Sequence, residues 1–307
     1  MGPVHLDLTQ RLERLVGARI ESFTPVVGGY TPALRLVCRT ATTSFFAKIG
    51  ATPLTSQFLR REIDVYTRVT GDFMPRLIAC EDDESAPILI IKDLSSAQWP
   101  PPWDERRVEL VLAQIHAMHG APVSFGSRAQ AQETAGSGWA AVAENPGPFL
   151  ALGLANARWL DRALPHLIQH EARRAVEGES LTHWDLRSDN ICVADGRVLF
   201  VDWNHAGMSN LALDLGFWLP SLAYEGGPLP ERILPDAPEV AAWVSGFSRR
   251  GRACRSSLTH HGARGAAAAA GDRPALGGPR ARFAAARTMS GIVGQPGLME
   301  RSGSPHG

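Results

Sequence analysis

The densest run of polar chemistry in the chain is Thr-His-Trp-Asp-Leu-Arg-Ser-Asp-Asn, residues 182 to 190, followed at once by two short apolar segments, Ile191 to Ala194 and Arg197 to Val201. Asp195-Gly196 joins them, and this dipeptide is among the strongest two-residue hairpin signals because both residues accept the positive φ of a tight primed turn. A hairpin here returns the chain to its start and brings Asp202 back beside His183, Asp185 and Asn190. Two carboxylates and an amide oxygen then converge, a set of hard oxygen donors that suits Mg2+. A solvated loop with aspartates at its turns has the same composition, so the reading needs support from the rest of the chain.

Upstream, Leu8, Leu12, Leu15 and Val16 recur at helical spacing and predict an amphipathic helix over 7–17. Arg19 to Val27, Ala33 to Thr40 and Thr43 to Ile49 are rich in β-branched and aromatic residues and predict an antiparallel meander. A helix over Leu54 to Val69, with Phe58, Val65, Tyr66 and Val69 on one face, and strands at Arg76 to Cys80 and Pro87 to Ile91 complete a first lobe of five strands and one helix. Asp93 to Pro102 is polar and proline-bearing, as a connector is. Helices are expected at Asp104 to His119, Pro148 to Val176, Leu211 to Tyr224 and Pro238 to Arg249, so the second lobe is mainly helical with one small β-hairpin. The fold class is α+β in two lobes.

Period-2 alternation in Thr43 to Ile49 puts Phe46 and Lys48 on one face and Phe45, Ala47 and Ile49 on the other. In the following helix, Glu62 falls on the packing stripe, four residues after Phe58 and three or four before Val65 and Tyr66. A carboxylate on a buried face is costly without a partner, and Lys48 is the obvious cation; an exposed Lys48 with Glu62 at the edge of the stripe is the competing reading. Lys48 and Lys92 are the only lysines in the chain, so no P-loop ending in Gly-Lys-Ser/Thr exists and lysine-dependent chemistry has two candidates.

His183-x-Asp185-x-x-x-x-Asn190 followed by Asp202 resembles the catalytic loop and metal-binding aspartate of the protein-kinase-like superfamily. Val201-Asp202-Trp203, where protein kinases write Asp-Phe-Gly, and Leu213-Asp214-Leu215-Gly216 beyond it are most similar to the aminoglycoside phosphotransferase family, over about Val26 to Arg249. The resemblance implies a protein-kinase-like fold and transfer of the γ-phosphoryl group of ATP to a hydroxyl. It makes Asp185 the base or positioning carboxylate, Asn190 and Asp202 the Mg2+ ligands, and Lys48 with Glu62 the pair that positions the α and β phosphates. His183 becomes a loop-stabilising residue, and Asp214 orders the loop by accepting hydrogen bonds. Trp184 departs from the Gly common in the family's His-Gly-Asp, which implies a narrowed pocket or altered loop packing.

The resemblance also gives Gly28 and Gly29 the nucleotide-covering position between the first two strands, although a Gly pair there also serves as an ordinary turn and is not Gly-x-Gly-x-x-Gly. Ile88 to Leu94 resembles the hinge that cups adenine, with backbone around Ile91 to Asp93 as the contacts; Ile88 to Ile90 read as core strand. Lys92 reads as a solvated or interface side chain. His116 and His119, and His166 and His170, have metal-compatible spacings but no H-E-x-x-H and no third ligand, so they read as ordinary helix histidines. Most of the tryptophans should be core, with Trp203 and Trp218 as candidates to line a substrate pocket.

Composition enters through the charge balance, 31 basic against 31 acidic residues. Residues 251–307 hold eight Arg against Asp272 and Glu300, a net of +6, which leaves residues 1–250 with 23 basic against 29 acidic, or −6. The acidic body argues against nucleic acid as partner and favours a cationic acceptor. Family acceptors include aminoglycosides, other antibiotics and amino alcohols, so antibiotic resistance is the implied role only for the first two. Glu225, Glu231, Asp236 and Glu239 fall where the family builds its acceptor site and also read as a solvated helical face. No apolar run is long enough to span a bilayer or act as a signal peptide, so the expectation is no membrane and a cytoplasmic protein. Cys38, Cys80, Cys192 and Cys254 lie far apart, with no metal-ligand spacing, and are expected to be reduced.

These readings divide the chain into a nucleotide-binding lobe at 1–94, a helical catalytic and acceptor-binding lobe at 95–250, and a Gly/Ala/Arg-rich tail at 251–307 that is expected to be disordered or the product of a shifted reading frame. The leading function is an ATP-dependent phosphotransferase acting on a small hydroxylated acceptor. The alternative is a catalytically impaired, kinase-like nucleotide-binding module with a damaged C-terminus. The sequence leaves the oligomeric state open.

Overall fold

Alternation along the strands sets the layering of the first lobe. The computed structural model describes residues 3–26, 32–83, 86–123, 125–126, 138–173 and 175–247. Its first lobe is an antiparallel sheet in the order β1 (Ile20–Pro25), β2 (Leu34–Thr40), β3 (Ser44–Ile49), β5 (Ile88–Lys92), β4 (Leu77–Glu81). Phe45, Ala47 and Ile49 join Leu36, Cys38, Ile88 and Ile90 on one face, where Leu12 of α1 (Pro3–Val16) completes a closed apolar cluster. Leu89 and Ile91 face the other way, into a core shared with α2 (Pro53–Arg68) and with the second lobe. The strands β2 and β3 pair Arg35 with Lys48 and Val37 with Phe46, so the two-residue period carries Lys48 to the inter-lobe side.

Helix α2 begins where the sequence marks it. Thr52 and Thr55 form a reciprocal capping box and Pro53 occupies the first turn, which satisfies orphan N–H groups and presets φ. Its buried stripe is Leu59, Glu62, Ile63, Val65 and Tyr66, while Arg61 is exposed. Phe58 is only half-buried and meets the ring of His205 instead of the core.

The second lobe differs from the sequence reading in two places. After a short helix that the sequence reading lacked, α4 (Gly138–Glu144), two helices stand in place of one over 148–176: α5 (Gly147–Leu150) and α6 (Ala157–Glu171). Gly153 adopts φ +66, which ends helical propagation, and Asn156 restarts it as an extended N-cap whose side chain accepts the Trp159 N–H at 2.8 Å. Besides the expected hairpin of β7 (Ile191–Ala194) and β8 (Arg197–Phe200), a second two-stranded pair joins β6 (Ser180–Thr182) to β9 (Gly207–Ser209). Three-residue strands lie below the length at which alternation is readable. Helix α3 (Glu105–His119) is capped by Asp104; α7 (Ala212–Tyr224), α8 (Pro230–Ile233) and α9, a helix from 238 to 247, follow. No helix among the described residues is long and apolar enough to cross a membrane. The tail at 251–307 lies outside the described residues.

Candidate active site

The site forms where β3, α2, the loop after β6 and the end of the β7–β8 hairpin meet. Lys48 Nζ donates to Glu62 Oε2 at 2.6 Å and to Asp202 Oδ1 at 2.7 Å, so the lysine bridges the two lobes. Lys48 and Glu62 are buried, whereas the Asp202 side chain is 31% exposed. Burial alone would lower the Lys48 pKa, but the carboxylates of Glu62 and Asp202 outweigh it and hold the ammonium above its ordinary value. For Glu62 burial wins and the pKa rises; for Asp202 the adjacent ammonium outweighs burial and the pKa falls. One cation thus faces two carboxylates, and the aspartate is the one toward solvent.

Asp202 reaches Lys48 because the backbone turns sharply after β8. It adopts φ 69 and ψ 56, the left-handed region that Asp tolerates better than most side chains. Trp203 behind it is fully buried, donates its indole N–H to the Phe200 carbonyl at 2.8 Å and packs on the ring of His183 at 4.7 Å.

The loop carrying Asp185 is held largely through its backbone. Asp214, fully buried at the start of α7, accepts the N–H groups of His183 and Trp184 at 3.0 Å each, and its second oxygen lies 2.9 Å from His119 Nε2. His183 Nε2 lies 2.9 Å from the Val201 carbonyl and its Nδ1 accepts the Asp185 N–H at 3.4 Å. Those partners require a neutral imidazole protonated at Nε2, and burial lowers its pKa accordingly. Asn190 donates to the Asp185 carbonyl at 2.8 Å and to its carboxylate at 3.3 Å. Asp185 itself is 27% exposed, and burial together with the nearby Asp202 and Asp189 carboxylates pushes its pKa up to about 6, against the opposing pull of Arg187.

The donor set fits a hard divalent cation. The Asn190 amide nitrogen is committed to the loop, which leaves its oxygen as the ligand end, and Asp202 uses one carboxylate oxygen on Lys48 and keeps the other. Two protein oxygens completed by substrate phosphates are what Mg2+ ordinarily takes. Among the described residues no group of three or more His, Cys, Asp or Glu could hold a metal without such help.

The remaining candidates fall in several places. Gly28 and Gly29 lie outside the described residues. Ile91 is inside the sheet between Phe46 and Leu77, and the Lys92 N–H bonds the Arg76 carbonyl. The Asp93 carboxylate accepts from Ser44 Oγ at 2.6 Å and from the Ser95 N–H at 2.8 Å, which pins the start of the connector to β3. Lys92 pairs with Asp195 at the hairpin turn. Trp203 and Trp218 are fully buried and line no pocket, because both rings are consumed by the inter-lobe core. Trp184 does not narrow the site: it is buried in a separate cluster with Leu213, Val240 and Trp243.

Two residues that contribute were not singled out as functional. His119 has no sequence signal, since its partner Asp214 is 95 residues away. Arg187 had one, a cation set between Asp185 and Asp189, and it lies 3.5 Å from the former and 3.1 Å from the latter.

A model of the phosphotransferase enzyme family, APH, matches residues 22–251. No curated protein matches the chain by sequence. Among solved structures, the fold is similar to an aminoglycoside phosphotransferase in ternary complex with ADP and hygromycin B, at 13% identity and TM-score 0.54 over 93% of this chain and 97% of that one. It is also similar to choline kinase from Streptococcus pneumoniae, at 13% identity and TM-score 0.59 over 95% and 99%. With the family match spanning both lobes and the loop between them, the chain belongs to the phosphotransferase enzyme family, as a small-molecule kinase of two-lobed, protein-kinase-like α+β fold.

Proposed function

We propose that the protein transfers the γ-phosphoryl group of ATP to a hydroxyl of a small, cationic acceptor. The observation that carries this reading is the Lys48 bridge, which joins the first-lobe carboxylate Glu62 to the loop aspartate Asp202 directly beside Asn190 and Asp185. Lys48, fixed by Glu62, offers its ammonium to the nucleotide phosphates. Asn190 and Asp202 would hold Mg2+, which when bound neutralises phosphate charge. Asp185 orients the acceptor hydroxyl and takes its proton as the acceptor oxygen bonds to the γ phosphorus and the bond to the β–γ bridging oxygen breaks, leaving ADP.

The division of labour follows as a proposal: 1–94 binds nucleotide, with Gly28-Gly29 over the phosphates and backbone from Ile91 to Asp93 at the base, and 95–250 binds the acceptor. Structural neighbours that bind hygromycin B or act on choline support a small acceptor bearing positive charge, as does the −6 balance of residues 1–250. Antibiotic resistance would be the phenotype if the acceptor is an aminoglycoside. The cytoplasm, which supplies ATP, is the compartment this reading implies.

The test is acceptor-dependent ADP release across aminoglycosides, other hydroxylated antibiotics and amino alcohols. Asp185→Ala should cut it by about 10²- to 10⁴-fold. Because Asp185 must be ionised to take a proton and its pKa is about 6, turnover should rise with pH through that value and fall below it. Nucleotide binding without turnover on any acceptor would refute the transferase reading.

A further inference from the structure

We propose that Tyr66 is a positioning residue of the metal site: its buried hydroxyl is the donor that holds Asp202 once nucleotide phosphates draw Lys48 away. The inference rests on the proposed roles of Lys48 and Asp202 and extends them. Tyr66 lies on the buried stripe of α2, one helical turn after Glu62, and is 3% exposed. It belongs to the inter-lobe core with Leu89, Ile91, Phe200 and Trp203, yet among the described residues its hydroxyl has no hydrogen-bond partner. Burial, together with the nearby charges of Glu62 and Asp202, pushes the phenol pKa well above its ordinary value, so the group stays protonated and able to donate.

A buried hydroxyl without an acceptor costs free energy that Phe at the same position would not, which points to a use in another state of the site. Loading with nucleotide supplies one. Lys48 has three N–H donors and spends two of them on carboxylates. Phosphates seated on the ammonium therefore compete with a carboxylate, and Asp202 is the one that yields. Glu62 is sealed on α2, whereas Asp202 is 31% exposed and is drawn toward the cation it would share with Asn190. Once Lys48 leaves, Asp202 Oδ1 loses its donor in a site that is still largely enclosed. The Tyr66 hydroxyl replaces it. A metal-ligating carboxylate whose second oxygen accepts a hydrogen bond is fixed in orientation, so Tyr66 would aim the remaining Asp202 oxygen at the cation.

The measurements are calorimetric Kd values for Mg-ADP and for ADP in EDTA, beside the unfolding free energy of the unliganded protein. Tyr66→Phe removes only the hydroxyl. It should leave the unliganded protein as stable as wild type or more so, keep the Kd for ADP in EDTA within about two-fold, and weaken Mg-ADP by about ten-fold, the effect of losing a hydrogen bond to a ligating group. In an Asp202→Asn background the same change should have no further effect on Mg-ADP. A hydroxyl with a purely structural role would instead lower the stability of the unliganded protein or weaken both complexes alike. Either result overturns the proposal, as does an unchanged Mg-ADP Kd or a full ten-fold loss in the Asp202→Asn background. Failure of the underlying reading looks different: the wild-type protein would then bind ADP equally with and without Mg2+.

Discussion

The two lobes fix their chemistry by opposite means. In the first, Lys48 is placed by charge, held between a buried carboxylate on α2 and a half-exposed one on the returning hairpin. In the second, the loop around Asp185 is placed by backbone, with one buried carboxylate gathering two consecutive N–H groups and an imidazole. A charge pair depends on side-chain identity at both ends, so either partner is vulnerable. A backbone clamp depends only on the acceptor, so the loop's own side chains are free to vary while the clamp residue is not.

The sharpest way to break the comparison is at the clamp. Asp214→Ala removes the acceptor of the His183 and Trp184 N–H groups and the partner of His119 in a site with no exposure to water. Hydrogen bonds to a carboxylate are worth about 1.5–3 kcal/mol each, so the three lost here should cost at least about 4–5 kcal/mol in denaturant unfolding. Asp214→Asn, which keeps an acceptor oxygen, should cost markedly less. If both variants unfold like wild type, the loop is not held as described.

The charge pair comes next. Lys48→Ala leaves Glu62 and Asp202 facing each other, and breaking a buried pair costs about 3–5 kcal/mol when the remaining charge cannot neutralise. Glu62 can neutralise, because burial already raises its pKa and loss of Lys48 raises it further. A raised carboxylate pKa favours the fold at low pH and ceases to do so as pH rises through the folded value. Lys48→Ala should therefore be more destabilised relative to wild type at pH 8 than at pH 5, in paired denaturant titrations. A gap that does not vary with pH would mean that Glu62 is not the group that responds.

How much of this was legible in the sequence follows from the same contrast. The Lys48–Glu62 pair was readable because strand alternation fixed which face Lys48 takes and helical spacing put Glu62 on a buried stripe; each rule is local. The hairpin that returns Asp202 was readable from Asp195-Gly196. Contacts made by the clamp were not, beyond a general role for Asp214: no local pattern links His119 at the end of α3 to a helix 95 residues later. The predicted helix over 148–176 failed for a related reason. Apolar periodicity continues through Gly153 and Asn156, and only a positive φ at one and an N-cap at the other break it.

The smallest expected effect tests the clamp's indifference to side chains. Trp184 adopts φ 65, the left-handed region, which is unusual for a bulky residue. Its ring packs 5.2 Å from Trp243 and 6.1 Å from Phe247, edge to face in both cases. Both Trp184→Ala and Trp184→Gly forfeit that packing, about 3–5 kcal/mol for a buried aromatic. Only Ala retains the left-handed strain, so Gly should be the more stable of the two by about 1 kcal/mol. The direction matters more than the size. Asp214 grips the backbone N–H of residue 184 whatever its side chain, so Trp184→Gly should keep the loop geometry and lose stability without a matching loss of nucleotide affinity. Measured as Kd for Mg-ADP beside the unfolding free energy, an affinity that falls in step with stability would show that the aromatic cluster, and not the carboxylate clamp, sets the position of Asp185.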